Sequence, residues 1–298
     1  MTRTPVRWMM AVVMAMAAAC VQTDGDPGAG ADTGALAEPV NAVREAVWSA
    51  DGRRLAVTWT QGSRTRWVGL FGPVDGGAPE AGSGLPMADG EAGWGSWAPD
   101  GLWVAYAAGA EGAREVHRSR PDGMEPENLT GNPADDFDPA YSPDGRTIAF
   151  VSNRDGGTAK LHAMDADGEN PRLLADLGGP VRRPMWSPDG SRLAVQVLDR
   201  GEDAIYVVNA DGTGSGRVGT GSFPAWSPDG ETVLFTENDS LFWRPAAGGS
   251  RRLLVADGRM GRPSPSGDWV AFVRGPETAA GLFLLRTEDG AQTRITPP

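Results

Sequence analysis

Trp186-Ser187-Pro188-Asp189-Gly190, followed by Ser191-Arg192-Leu193-Ala194-Val195, is the stretch that decides the fold. Ser, Pro, Asp and Gly in that order suit a type I turn. Pro presets φ near −65°, a Ser or Asp oxygen can accept a backbone N–H, and Gly tolerates positive φ. Such a turn closing on a left-handed Gly is a common β-hairpin connection. One strand therefore ends at Trp186 and the next begins after Gly190.

The stretch recurs along the chain. Trp48-Ser49-Ala50-Asp51-Gly52, Trp97-Ala98-Pro99-Asp100-Gly101, Tyr141-Ser142-Pro143-Asp144-Gly145 and Trp226-Ser227-Pro228-Asp229-Gly230 are further copies, and Pro263-Ser264-Pro265-Ser266-Gly267 is a worn one. Successive copies are offset by 49, 44, 45, 40 and 37 residues. Periods near 40–45 residues match one four-stranded propeller blade. After each turn come apolar, small, then aromatic or aliphatic residues, as in Ile148-Ala149-Phe150 and Val270-Ala271-Phe272. That pattern fits a strand buried on both faces. A second turn, Asp-Gly at 75–76, 122–123, 167–168, 211–212 and 289–290 with Ala247-Gly248 as its degenerate copy, gives each unit a second hairpin. One such sheet cannot bury both faces alone, so the sheets must stack. The expected fold is all-β: a six-bladed β-propeller of four-stranded antiparallel blades over residues 39–298.

The repeats resemble the TolB-type, WD-like β-propeller family. The resemblance rests on Trp-Ser-Pro-Asp-Gly with its apolar-Ala-aromatic sequel, on the run Asn132 to Gly156, and on Tyr206-Val207-Val208-Asn209-Ala210-Asp211-Gly212. TolB is a periplasmic partner of a peptidoglycan-associated lipoprotein and carries an additional N-terminal domain, for which these 298 residues leave no room. The resemblance therefore implies the repeats rather than TolB's own function.

Residues 1–19 read as a signal peptide: Arg3 and Arg7, an apolar run from Trp8 to Met16, then Ala17-Ala18-Ala19. The single cysteine, Cys20, follows and cannot form an internal disulfide. The site resembles a bacterial lipobox, which implies acylation of Cys20 and, with Val21 next, the periplasmic face of the outer membrane. Ala17 departs from the Leu of that pattern. Ordinary cleavage, leaving a soluble periplasmic protein with a bystander thiol, is the other reading. Residues 20–38, rich in Gly, Asp, Ala and Thr, read as a flexible tether. A net charge of −12 argues against nucleic-acid binding and leaves the lipid as the membrane contact.

Catalytic signatures were sought. Gly212-Thr213-Gly214-Ser215-Gly216 places Ser one position away from a hydrolase elbow. His117 and His162 are the two histidines, in different units and at strand positions, where a metal site wants two or three converging. Asp135, Asp136 and Asp138 offer oxygens of the kind calcium takes, but acids at this linker are common in the family the repeats resemble. The expectation is no catalytic residue, metal or cofactor.

In an up-and-down blade the repeated turns share one face of the ring, and the irregular segments, from Thr60–Arg66 to Gly275–Ala279, share the other. First strands line the channel. Three residues before each motif aromatic stand Glu45, Trp94, Asp138, Arg183, Phe223 and Met260, a column of unlike residues. Solvent exposure alone would explain the mixture; recognition of a ligand at the channel mouth is the alternative. The resulting expectation is a non-catalytic, monomeric scaffold docking a protein or peptide of the cell envelope. A propeller hydrolase or lyase acting on a polysaccharide or peptide in the channel is the second reading.

Overall fold

The computed structural model describes residues 42–49, 51–52, 54–61, 64–71, 80–85, 93–121, 123–276 and 280–295. The segment 1–38 with Cys20, the turn at 75–76 and the side chains of Glu45 and Trp94 lie outside the described residues.

Among the described residues the strands form six groups of four. The first sheet has β1 (Ala42–Trp48), β2 (Arg54–Gln61), β3 (Arg64–Phe71) and β4 (Glu80–Leu85). The second has β5 (Gly93–Trp97), β6 (Val104–Ala108), β7 (Glu115–Ser119) and β8 (Glu127–Asn128). The third has β9 (Asp136–Tyr141), β10 (Thr147–Ser152), β11 (Lys160–Asp165) and β12 (Arg172–Ala175). The fourth has β13 (Val181–Trp186), β14 (Arg192–Asp199), β15 (Glu202–Asn209) and β16 (Ser215–Thr220). The fifth has β17 (Ser222–Trp226), β18 (Thr232–Glu237), β19 (Ser240–Pro245) and β20 (Arg252–Val255). The sixth has β21 (Arg259–Pro263), β22 (Trp269–Arg274), β23 (Gly281–Arg286) and β24 (Gln292–Arg294). Each is an antiparallel meander in chain order.

First strands of successive sheets touch: β5 with β9, β9 with β13, β13 with β17, β17 with β21, and β1 with both β21 and β5. The apolar clusters lie between sheets, as the stacking argument requires. Phe137, Val151 and Leu161 of the third sheet pack on Val181, Leu193 and Val195 of the fourth. Ala194, Ile205 and Val218 pack on Trp226, Val233 and Phe235. Phe150, Phe235 and Phe272, the aromatics of the post-turn column, are among the largest fully buried side chains.

The motif turns have the expected geometry. Gly190 N donates to Ser187 O at 2.9 Å, and Ser187 Oγ donates to Asp189 Oδ1 at 2.6 Å. Ser191 N donates to the same carboxylate oxygen at 3.0 Å, and Arg192 N to Ser187 Oγ at 3.0 Å. These bonds from Ser187 and Ser191 hold the Asp189 pKa down at about 2. An acid depressed on folding adds stability above its unfolded pKa, and that stability is lost as pH falls through the folded value. Asp189→Asn is therefore expected to lower stability by less than about 1 kcal/mol near pH 7, since the turn is solvated. The difference should close between pH ~4 and ~2 in urea titrations. A constant difference across that range would remove the charge from the explanation.

The expectation of a six-bladed propeller is corrected to five blades. Five sheets, β5–β24, are blades of one kind, and the first sheet is not their equivalent. In the five, two first-strand residues face one second-strand residue: 94–95 oppose Tyr106, 138–139 oppose Phe150, 183–184 oppose Val195, 223–224 oppose Phe235 and 260–261 oppose Phe272. In the first sheet the irregularity falls one residue earlier, between Val43 and Glu45, and Glu45 pairs in register with Thr58. The sequence supplies a reason. The second bulged residue is Gly95, Pro139, Pro184, Pro224 or Gly261 in the five blades, whereas the corresponding residue of the first sheet, Ala46, pairs in register with Val57. Pro cannot donate to the ladder, and Gly or Pro inside a strand marks a bulge.

A second difference lies at the turns. A Cβ added to Gly145, Gly190, Gly230, Gly267 or Gly52 would meet the turn Pro of the preceding sheet at 3.3–3.6 Å, whereas one at Gly101 would meet nothing within 4 Å. The copy preceding Gly101 has Ala50 in place of Pro. The last described strand, β24, pairs with β23, and among the described residues the first and sixth sheets meet by packing rather than by a shared strand pair. Val43, Trp48 and Val57 lie against Ala271, Val273 and Leu282, and Val43 N donates to Ala280 O at 3.2 Å.

Candidate functional site at the first-strand bulges

The bulge turns the sequence column into a structural feature. Asp138, Arg183, Phe223 and Met260 have φ of +52°, +52°, +57° and +56°. Left-handed backbone is costly for residues other than Gly, by about 1–3 kcal/mol where it is held in place by its surroundings. At three of the four the preceding blade holds it. Arg183 N donates to Asp138 Oδ2 at 2.8 Å, Phe223 N to Gln196 Oε1 at 3.2 Å, and Met260 N to Thr236 Oγ1 at 3.0 Å. Gln196 and Thr236 occupy the same place in β14 and β18, so the clamp is itself repeated.

The side chains form a graded arc. Asp138 is 4% exposed, and burial pushes its carboxyl pKa up against the pull of Arg183, Arg114 and Arg182. The Arg183 guanidinium donates to Gln196 Oε1 at 2.8 Å and stacks 4.0 Å from the Phe223 ring centroid. Met260 completes the arc. Beside it, Arg114 Nε donates to Asp135 Oδ1 at 2.8 Å while its guanidinium lies 4.0 Å from the Phe137 ring. Burial opposes ionisation of Asp135, yet the Arg114 bonds hold its pKa below the usual carboxylate range. Arg154 Nη2 donates to Asp136 Oδ2 at 3.0 Å. The loop segments expected near this end, Ala108–Arg114 and Asn153–Thr158, thus reach Asp135 and Asp136, close in sequence to the column residue Asp138, through ion pairs. Charge stands on one side and apolar surface on the other.

Other sequence candidates sort as follows. The acids at 135, 136 and 138 are each engaged by arginines, and no group of three or more His, Cys, Asp or Glu that could hold a metal occurs among the described residues. His117 lies in β7, stacked on Tyr106 at 5.8 Å, and burial lowers its pKa. His162 lies in β11, 1% exposed, with Nε2 3.0 Å from Asp155 Oδ2 and its ring 5.7 Å from Phe150. The motif tryptophans bridge sheets: Trp186 Nε1 donates to Ala140 O at 3.0 Å, and Trp226 Nε1 to Met185 O at 2.9 Å. Gln196, Thr236 and the Arg114–Asp135 and Arg154–Asp136 pairs had no assigned role in the sequence. The recurring Pro after the column residue was the signal for the bulge.

No family model matches the chain. Among curated proteins, the Tol-Pal system protein TolB of Bordetella pertussis is 45% identical over 60 residues, 20% of this chain and 14% of that protein. The solved structure of TolB from Acinetobacter baumannii superposes with a TM-score of 0.62 over 85% of this chain and 62% of that one, at 15% identity. The repeats are similar to those of TolB. The uncharacterized peptidase YuxL of Bacillus subtilis shares them too, with 29% identity over 190 residues, 48% of this chain and 29% of that protein. An oligogalacturonate lyase in complex with manganese has the same fold at a TM-score of 0.58 and 15% identity, covering 86% of this chain and 77% of that one. The chain spans 14% of the length of the Bordetella pertussis protein and 29% of that of the Bacillus subtilis one.

Proposed function

We propose that the protein is a non-catalytic docking propeller of the bacterial envelope, held at the periplasmic face of the outer membrane by a lipid on Cys20 and binding a protein or peptide through the bulge column. One observation carries the reading. Four successive first strands hold unlike side chains, Asp138, Arg183, Phe223 and Met260, at left-handed φ. Strain that recurs at one place, and that a neighbouring blade maintains, points to a functional surface. The arc offers charge, a stacked guanidinium and apolar contact, the mixture a peptide chain presents. Envelope context is supported by the Tol-Pal naming of relatives and by the lipobox-like sequence at Cys20. The packing of His117 and His162 inside blades favours docking over catalysis.

The test is retention of envelope proteins by the immobilised chain. Arg183→Ala and Phe223→Ala should leave the unfolding midpoint within experimental error of wild type yet reduce capture at least tenfold, since Arg and aromatic anchors carry most interface energy. Capture unchanged by both substitutions would remove the column from the function.

A further inference from the structure

The sixth sheet keeps its strands and its turn but lacks the motif aromatic, and a cavity lies where that ring would stand. The residue before the turn is Trp or Tyr in five copies and Pro263 in the sixth. The rest of this repeat is in order. Gly267 N donates to Ser264 O at 2.9 Å, which closes the turn, and Phe272 of the post-turn column is fully buried. The departure is therefore confined to one position and is not a general decay of the sheet. A cavity of ≈ 290 Å³ borders it, lined by Trp48, Trp186, Trp226, Ala225 and Pro263 among others. It lies at the turn ends of the first strands, whereas the bulge column lies nearer their starts.

The other repeats say which ring the space fits. Trp48, Trp186 and Trp226 each donate Nε1 to a backbone carbonyl one sheet earlier, at Arg262, Ala140 and Met185, over 2.9, 3.0 and 2.9 Å. In every case the acceptor is the residue just before that sheet's own motif position. For position 263 the corresponding acceptor is Ala225 O. Ala225 lines the cavity, and the Pro263 side chain has no donor to offer it. The indole N–H groups of Trp48, Trp186 and Trp226 are already bonded, so these side chains present ring faces and edges to the space. Aromatic rings pack on such surfaces in offset or edge-to-face contact.

We propose that the cavity binds free indole, or a neutral small molecule built on that ring, in the place of the side chain that Pro263 replaces, with its N–H donating to Ala225 O. The volume is near the lower bound of about 300 Å³ for small-molecule pockets, which suits one bicyclic ring rather than a ring on a peptide chain. The carbonyl sets the selectivity. A ring N–H buried here meets an acceptor, whereas an equally apolar ring without the N–H leaves that acceptor unused.

Calorimetry on the full chain with indole tests this. Saturable binding with a Kd below about 1 mM is expected. Benzothiophene, a ring of the same shape without the N–H, should bind roughly threefold more weakly or worse, the effect of one lost hydrogen bond. Pro263→Trp should keep at least the wild-type unfolding midpoint and abolish binding by refilling the space. Should that variant fail to fold, crystals of the wild-type chain soaked with 5-bromoindole locate the ligand by its bromine signal, expected between Trp48, Trp226 and Pro263. The proposal is overturned by no saturation below about 1 mM, by benzothiophene binding as tightly as indole, by binding that survives Pro263→Trp, or by a bromine signal elsewhere. N-acetyltryptophanamide binding more than tenfold tighter than indole would overturn the assignment to a free small molecule.

Discussion

Replacing Trp226 by Ala is expected to destabilise the protein by about 3–5 kcal/mol, the range for removing a buried large aromatic. The indole is 6% exposed and packs with Ala194, Ile205, Val218, Val233 and Phe235 across the joint between the fourth and fifth sheets. Its Nε1 donates to Met185 O, and the Arg192 guanidinium lies 4.8 Å from its ring. Trp226→Phe keeps much of the packing and strands the Met185 carbonyl, which costs about 1–3 kcal/mol. Guanidinium denaturation of the two variants separates packing from hydrogen bonding. Equal losses would mean that the bond dominates; no loss in either would show that the repeated tryptophans are not structural ties. The loss should be global, because each sheet buries its faces only against its neighbours.

The architecture was legible because its causes are local and repeated. A Ser-Pro-Asp-Gly turn fixes a hairpin wherever it stands, and the Leu193-Ala194-Val195 type of strand is buried in every blade for the same reason. The count of equivalent blades was less legible. Ala46 in place of Gly or Pro moves the first-strand irregularity by one residue, a register effect that turn spacing does not report. The column of unlike residues was visible as a column, but its left-handed backbone was not. That conformation depends on clamps from the preceding sheet, such as Gln196 to Phe223 and Thr236 to Met260, which join residues 27 and 24 positions apart. Pro139, Pro184 and Pro224 carried the missing information, since Pro inside a strand implies a bulge. A space at the worn repeat was hidden for the opposite reason. Pro263 reads as decay in a comparison of copies, and only the packing shows the cavity of ≈ 290 Å³ that it borders with Trp48, Trp186 and Trp226.

Asp138→Asn is expected to raise stability at neutral pH, by on the order of 1 kcal/mol, while weakening partner capture. The carboxyl is buried and its pKa is raised mainly by desolvation, with Arg183, Arg114 and Arg182 opposing the shift incompletely. An acid whose pKa rises on folding makes the native state bind protons more tightly than the unfolded chain. Its contribution therefore falls as pH rises from the unfolded value of 3.8 through the folded one. Asn removes that slope. Its side-chain oxygen can still accept the Arg183 N–H, now at 2.8 Å from Asp138 Oδ2, and Asn tolerates left-handed φ readily. The advantage of the variant should thus be small near pH 4 and grow toward pH 7 in thermal or urea unfolding. Destabilisation at pH 7 would show instead that the three arginines make the charge a structural one. A gain in stability with a loss of capture is the signature of a residue retained for binding at the expense of the fold. Arg183, Phe223 and Met260 likewise hold a backbone conformation that Gly would adopt without strain, so under the proposed docking role it is their side chains that the site would use.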